Sequence, residues 1–165
     1  MFRRFTRILV PTDFGAASDA ALMCAKELAL RFNARLFLLH IVEDPSATGM
    51  WTPDVFVAAS PQVRETLLRD AEQRLEAALS AGERERFNAA IEVRVGTAAD
   101  GIAEFAREKT IDLIVMGTHG RRGLAHVFIG SVAERLVRTA PCPVLTIRDD
   151  RRIQVLSEAL QAAEA

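Results

Sequence analysis

The stretch Gly117-Thr118-His119-Gly120-Arg121-Arg122-Gly123-Leu-Ala-His126-Val-Phe-Ile-Gly130-Ser131-Val132 gathers glycines, arginines and histidines between an apolar run and a helical pattern. Glycine adopts backbone angles closed to other residues and lets a chain come close to a ligand, which suits Gly120, Gly123 and Gly130 to a phosphate cradle. Gly130-Ser131-Val132 places free backbone N–H groups at a helix start, where the helix dipole favours an anion, and Ser131 adds a hydroxyl donor. Arg121, Arg122 and His119 add charge and hydrogen bonds for a polyphosphate. The same residues also suit a plain strand-to-helix turn with a serine cap, so residue types leave both readings open. The stretch lacks the Gly-Lys-Ser/Thr ending of the phosphate loop of nucleotide hydrolases. It also lacks the closely spaced glycines of the dinucleotide fingerprint.

The other chemistry-bearing residues are scattered. Pro11-Thr12-Asp13 follows a short apolar run, where Asp13 suits a ligand or a helix cap. His40 stands inside an apolar run and reads as a hydrogen-bonded core histidine, and His126 as a loop or surface residue. Arg122 has a solvent-facing alternative. No three of the histidines and cysteines have metal-ligand spacing. Cys24, in an apolar helical pattern, reads as a small core residue. Two cysteines make no disulfide framework and fit a reducing, cytoplasmic setting.

The elements that must position these residues are legible from periodicity. Strands are expected at 5–10, 35–42, 89–95, 112–116 and 144–148. The run 35–42 is almost continuously apolar, as in a parallel strand covered on both faces. Helices are expected at about 16–32, 60–81, 97–108 and 131–139. In the first, Leu22, Ala25, Leu28, Ala29 and Phe32 mark the buried face, and Asn33 stops it. Ser60-Pro61 starts the second, which Gly82 stops. Thr97-Ala-Ala-Asp100 resembles a capping box. Residues 43–60, with Trp51 and Phe56, read as a long loop that covers the sheet edge or acts as a lid.

Strand and helix alternate throughout, which builds a parallel sheet with helices on both faces. In such α/β folds ligands bind beyond the carboxyl ends of the strands, where the winding direction reverses. Pro11-Thr12-Asp13 and Gly117 onwards occupy those places.

With 165 residues, half of them hydrophobic, the chain has the size and composition of one domain with a real core. Its 21 basic and 22 acidic residues give a net charge of −1, which disfavours a generic nucleic-acid binder. All the basic residues but Lys26 and Lys109 are arginine, the better fork for phosphate or carboxylate. Pro11 cuts the first apolar run too early for a signal peptide or a membrane span, and no other run is long enough for one.

Gly117-x2-Gly120-x9-Gly130-Ser131 resembles the ATP-binding signature of the universal stress protein family. So do Ile8-Leu-Val-Pro-Thr-Asp13, Leu38-Leu-His40-Ile41, Asp112-Leu-Ile-Val-Met116-Gly117, and Gly130-Ser-Val-Ala-Glu-Arg-Leu with the later Ala-Pro-Cys142-Pro-Val-Leu. The resemblance covers residues 5–148. It implies an open five-stranded sheet of order 3-2-1-4-5 and a nucleotide lying across the first and fourth strands: ATP, or ADP or AMP, with Mg. It implies that Pro11 and Thr12 line the adenosine site, that Asp13 meets the ribose or a nucleotide-bound metal, and that Ile41 offers its backbone to adenine. Met116 packs near the base or sugar, and Gly117, Gly120, Arg121, Gly130, Ser131 and Val132 hold the phosphates, with His119 beside them. Some family members lack the glycine signature and do not bind ATP; this sequence keeps it. The tail from Asp149 is longer than the usual ending. Residues 1–148 are therefore expected as the nucleotide-binding domain, and 149–165 as a helical or frayed extension.

The leading expectation is an ATP-binding stress sensor or regulator with slow hydrolysis at most, since no separate catalytic base is evident. The alternative is an ATP-using or nucleotidyl-transfer enzyme of the wider adenosine-binding α/β group. A third reading is a partner-binding protein whose glycine loop is only a turn. The apolar run 144–148 belongs at a sheet edge, which invites pairing. The family commonly dimerises through this strand, so a homodimer is expected.

Overall fold

Parallel strands joined by helices can only be assembled one crossover at a time, and the order of those crossovers decides where a crevice opens. The computed structural model describes residues 5–44, 54, 60–118 and 130–148. It has β1 (Arg7–Pro11), α1 (Ala16–Phe32), β2 (Arg35–Glu43), α2 (Pro61–Ala77), α3 (Ala81–Arg86), β3 (Ala90–Gly96), α4 (Ala98–Glu108), β4 (Leu113–Gly117), α5 (Ser131–Thr139) and β5 (Val144–Ile147). All strand pairs are parallel, in the expected order β3-β2-β1-β4-β5. The chain starts in the middle, winds outward to β3, then crosses back to β4 and β5. The winding direction therefore reverses between β1 and β4.

Side chains alternate between the two faces. Ile8, Val10, Leu36, Leu38, Leu113 and Val115 share one apolar layer with Ala21, Ala25 and Ala29 of α1 and Leu75 of α2. Leu9, Phe37, Leu39, Ile114 and Met116 share the other with Ile102, Phe105 and Ala106 of α4 and Leu136 of α5. Burying one such aliphatic side chain contributes roughly 1.5–3 kcal/mol. The sheet is thus covered on both faces, as the apolar run of β2 suggests.

The first helix is seated differently from expectation. Ala17, Ala21, Ala25 and Ala29 are its buried apolar residues, while Leu22, Leu28 and Phe32 are only half-buried at its flanks. The four alanines, spaced four apart, form one row on the helix, and their small size brings the helix axis close to the sheet. Asn33 ends it in the left-handed conformation, φ 52°, as a C-terminal stop.

The second expected helix is in fact two. α2 ends at Ala77 and Ser80 caps a new helix that contains Gly82. The cause is a full capping box. The Ser80 hydroxyl accepts from the Glu83 N–H, and the Glu83 carboxylate accepts from the Ser80 N–H at 2.8 Å. By contrast, the Ser60 hydroxyl makes no capping bond, although Ser60 is the N-cap and Pro61 starts the helix. Thr97 is the N-cap of α4, but its hydroxyl donates to the Asp100 carboxylate at 2.7 Å instead of accepting a backbone N–H. The expected loop 43–60 loses Glu43 to β2, and Asp54 is helical; its other central residues, Trp51 and Phe56 included, lie outside the described residues. The tail 149–165 lies outside them too. Among the described residues no helix is long and apolar enough to cross a membrane.

Candidate functional site

The carboxyl end of β1 is a tightly bonded turn. The Thr12 N–H donates to the Leu39 carbonyl at 2.9 Å, extending the β1–β2 ladder by one bond. The Phe14 N–H then donates to the Thr12 hydroxyl at 2.9 Å, and the Gly15 N–H to Asp13 Oδ1 at 3.0 Å. Ser18 Oγ donates to the same carboxylate oxygen and accepts from the Asp13 N–H at 3.3 Å. Asp13 is therefore not the helix cap that its type suggests. Gly15 is the N-cap of α1, and Asp13 fixes the turn leading into it. Phe14 takes φ 62°, a left-handed conformation uncommon for a bulky residue.

Two more elements meet this turn. β2 runs on to Glu43, paired with β3, although its pairing with β1 ends at Leu39. Among the described residues no strand lies on the β1 side of its last residues, which is where Ile41 stands. The Ile41 side chain is buried in the layer under α4. His40, on the opposite face of β2, is half-buried and within 2.7 Å of the Thr12 carbonyl through Nδ1.

β4 ends at Gly117 beside β1. A Cβ built on Gly117 would stand 2.7 Å from the Ala17 carbonyl carbon and 2.9 Å from its oxygen. The glycine is needed because the first turn of α1 lies directly on the end of β4. Met116 is buried in the layer under α4 and α5. Thr118 is buried as well; its N–H donates to the Ile147 carbonyl, and its own carbonyl accepts from the Gly130 N–H at 2.6 Å. The 119–129 segment thus leaves and rejoins the described fold across one hydrogen bond.

α5 starts at that junction. Gly130, which has no side chain to offer as a cap, is its N-cap. Ser131 is the first helical residue and exposed, so its hydroxyl does not serve as the cap; Val132 is half-buried. The structure therefore brings Pro11, Thr12, Asp13, Met116, Gly117, Gly130, Ser131 and Val132 to the carboxyl ends of β1 and β4, with Ile41 where β2 has run beyond its pairing with β1. His119, Gly120, Arg121, Arg122, Gly123 and His126 lie outside the described residues. Thr118, Ser18 and Phe14 were not singled out from the sequence. For Ser18 a signal existed, a serine one helical turn beyond the Asp-Phe-Gly turn. For Thr118 and Phe14 the role comes from contacts across the fold.

The charged groups with resolved shifts belong to the scaffold. Glu83 is held down to about 2, first by the Lys26 ammonium at 2.7 Å and then by the Ser80 N–H. Arg94 bridges Glu108 and Glu92 at 2.6 and 2.7 Å, which raises its pKa and lowers that of Glu108. Burial raises the Cys24 thiol, helped by Glu27. Cys24 is half-buried against the α1 layer and Cys142 is buried. Among the described residues no three His, Cys, Asp or Glu side chains form a metal cluster.

An open, doubly wound parallel sheet with a crevice where the winding reverses places the chain among the Rossmann-like α/β folds. Residues 4–148 match the universal stress protein family. The chain is 32% identical over 151 residues to a universal stress protein of Methanocaldococcus jannaschii, covering 90% of this chain and 85% of that one. It resembles the solved structure of universal stress protein UspA from Lactobacillus plantarum at a TM-score of 0.71 and 31% identity, covering 89% of this chain and all of that one. Two further solved folds are alike at lower identity. One is a universal stress protein in complex with cAMP (TM-score 0.58, 24% identity, 90% of this chain and 100% of that one). The other is from Archaeoglobus fulgidus in complex with dAMP (TM-score 0.53, 22% identity, 88% and 99%). The chain belongs to the universal stress protein family.

Proposed function

We propose that the crevice at the ends of β1 and β4 binds an adenine nucleotide (ATP, or its products ADP and AMP) and that the protein acts as a cytoplasmic stress-response sensor or regulator with slow hydrolysis at most. The observation that carries this reading is the start of α5. Its N-cap, Gly130, has no side chain to bond the first-turn N–H groups, and the Gly130–Thr118 hydrogen bond sets that turn beside the end of β4. Backbone N–H groups at a helix start in that place suit phosphate oxygens. The remaining signature residues, Gly120 and Arg121 with His119, fall in the segment whose two ends meet there. Adenine and ribose would lie over Pro11, Thr12 and Met116, with the Ile41 backbone at the open flank of β2 as the adenine partner. The complexes of related folds with cAMP and dAMP support an adenine nucleotide as the ligand class.

The Asp13 carboxylate is fixed by the Gly15 N–H and the Ser18 hydroxyl. A single carboxylate does not make a resident cation site, so Mg would arrive with the nucleotide, whose charge it neutralises. Asp13 would meet the ribose or that Mg. Residues 1–148 form the nucleotide-binding unit in this reading, 149–165 an extension, and the β5 edge pairs with a second copy of the chain.

The test is the mass of any small molecule released when the purified protein is denatured, together with thermal unfolding in ATP and Mg. Ligand at a hundred times its Kd stabilises by about 2.7 kcal/mol, which raises the midpoint by roughly 5–10 °C for a chain of this size. A protein that releases no adenine nucleotide and shows no shift defeats the proposal.

A further inference from the structure

Phe14 holds a conformation that glycine adopts without strain, with glycine itself at the next position. Side chains kept in the left-handed region persist where the surroundings over-determine them. Here Phe14 packs against the apolar layer under α1 and α2, and two polar residues from other elements stand against its ring. The His40 ring of β2 lies 4.6 Å from the Phe14 ring with a tilt of 36°. The Arg74 guanidinium of α2 stands 4.1 Å from the Phe14 ring centroid. His40 also reaches the turn directly through Nδ1 at 2.7 Å from the Thr12 carbonyl. A carbonyl oxygen only accepts, so Nδ1 carries the proton and the imidazole is the donor.

We infer that His40 and Phe14 are positioning residues of the crevice: His40 holds the Thr12 carbonyl and supports the Phe14 ring, and together they keep the Thr12–Gly15 turn in the form that presents Asp13. Neither side chain belongs to the set expected to touch the nucleotide. Both act through the backbone of residues that do. This inference rests on the nucleotide reading of the crevice. It adds that α2, which buries only Ala71 and Leu75, is tied to the site through Arg74.

The experiment measures ATP–Mg affinity by calorimetry and the thermal midpoint of the unliganded protein for wild type, Phe14→Gly, His40→Ala and His40→Asn. His40→Ala is expected to weaken binding about tenfold, the equivalent of one neutral hydrogen bond, and Phe14→Gly, which removes the ring held by His40 and Arg74, several-fold. They should leave a cooperative unfolding transition. His40→Asn keeps an amide N–H near the Nδ1 position and is expected to recover part of the loss. Wild-type affinity in both Phe14→Gly and His40→Ala overturns the inference. An Asn variant no better than Ala overturns the role of the hydrogen bond. Should Phe14→Gly fail to fold, the two His40 variants decide the matter alone. Failure of the wild type to bind ATP–Mg, by contrast, defeats the nucleotide reading, and the inference with it.

Discussion

Gly117→Ala is a one-carbon change whose cost follows from the packing of α1 on the sheet. The added Cβ would lie 2.7 Å from both the Cβ and the carbonyl carbon of Ala17, and 2.9 Å from its oxygen. Non-bonded carbons rest at about 3.5–4.0 Å, so the helix start or the strand end has to move by roughly 1 Å. Two of the three close atoms are backbone and cannot rotate away. Overpacking of this kind costs typically 1–3 kcal/mol, and the rigid neighbours place this case at the upper end, about 2–3 kcal/mol. For a chain of this length that lowers the thermal midpoint by roughly 4–12 °C. Urea unfolding followed by circular dichroism should show a lower midpoint concentration with an unchanged slope. The double variant Gly117→Ala/Ala17→Gly removes one close contact but leaves the carbonyl carbon and oxygen, so it should restore only a minor part. A single variant within about 0.5 kcal/mol of wild type, or full restoration in the double variant, refutes the packing argument.

Other outcomes follow from the same contacts. Glu83 has a folded pKa near 2, below its ordinary 4.5, so its pairing adds stability above about pH 4.5 that disappears as the pH falls toward 2. In urea titrations the gap between wild type and Glu83→Gln should close over that range; a constant gap would count against the pairing. Ser80→Ala removes the cap of α3 and should cost about 1 kcal/mol. Gly130→Val should preserve the fold, because φ −55° and ψ 150° suit any residue, yet lower ATP affinity at least tenfold by crowding the α5 start; unchanged calorimetric affinity would remove the phosphates from that place. Leu145, exposed on the edge strand β5, is expected to seat a second copy, and Leu145→Lys should convert dimer to monomer in sedimentation equilibrium. A wild type that sediments as a monomer at high micromolar concentration contradicts the pairing.

Much of the architecture was legible because it rests on short-range pattern. The continuous apolar run at 35–42 foretold a strand covered on both faces, and Asn33 a helix stop. Where the reading failed, two local signals competed. Gly82 suggests the stop of a long helix, whereas Ser80 and Glu83 have the spacing of a capping box that restarts one. The expected buried face of α1 mixes Leu22, Leu28 and Phe32 with Ala25 and Ala29; the two alanines are buried as expected, and the row is completed by Ala17 and Ala21 because small residues permit closer contact with the sheet. Asp13 stands at the carboxyl end of β1, and its partners, the Gly15 N–H and Ser18, make it a turn-former and not a cap. Of the signature glycines, Gly117 and Gly130 are described and Gly120 lies outside the described residues.

What the amino-acid order alone determined is the kind of the elements and, apart from the break before Ser80, their succession, and from these the sheet class and the two loops worth searching. Periodicity and caps act over a few residues, so they can be read one segment at a time. What only the tertiary structure decided are separations between segments distant in the chain. Ala17 against Gly117, the Thr118 carbonyl on the Gly130 N–H, and Phe14 against both His40 and Arg74 are such contacts. They arise when helices settle on a twisted sheet at distances set by side-chain volume, a property of pairs of elements that no single segment encodes.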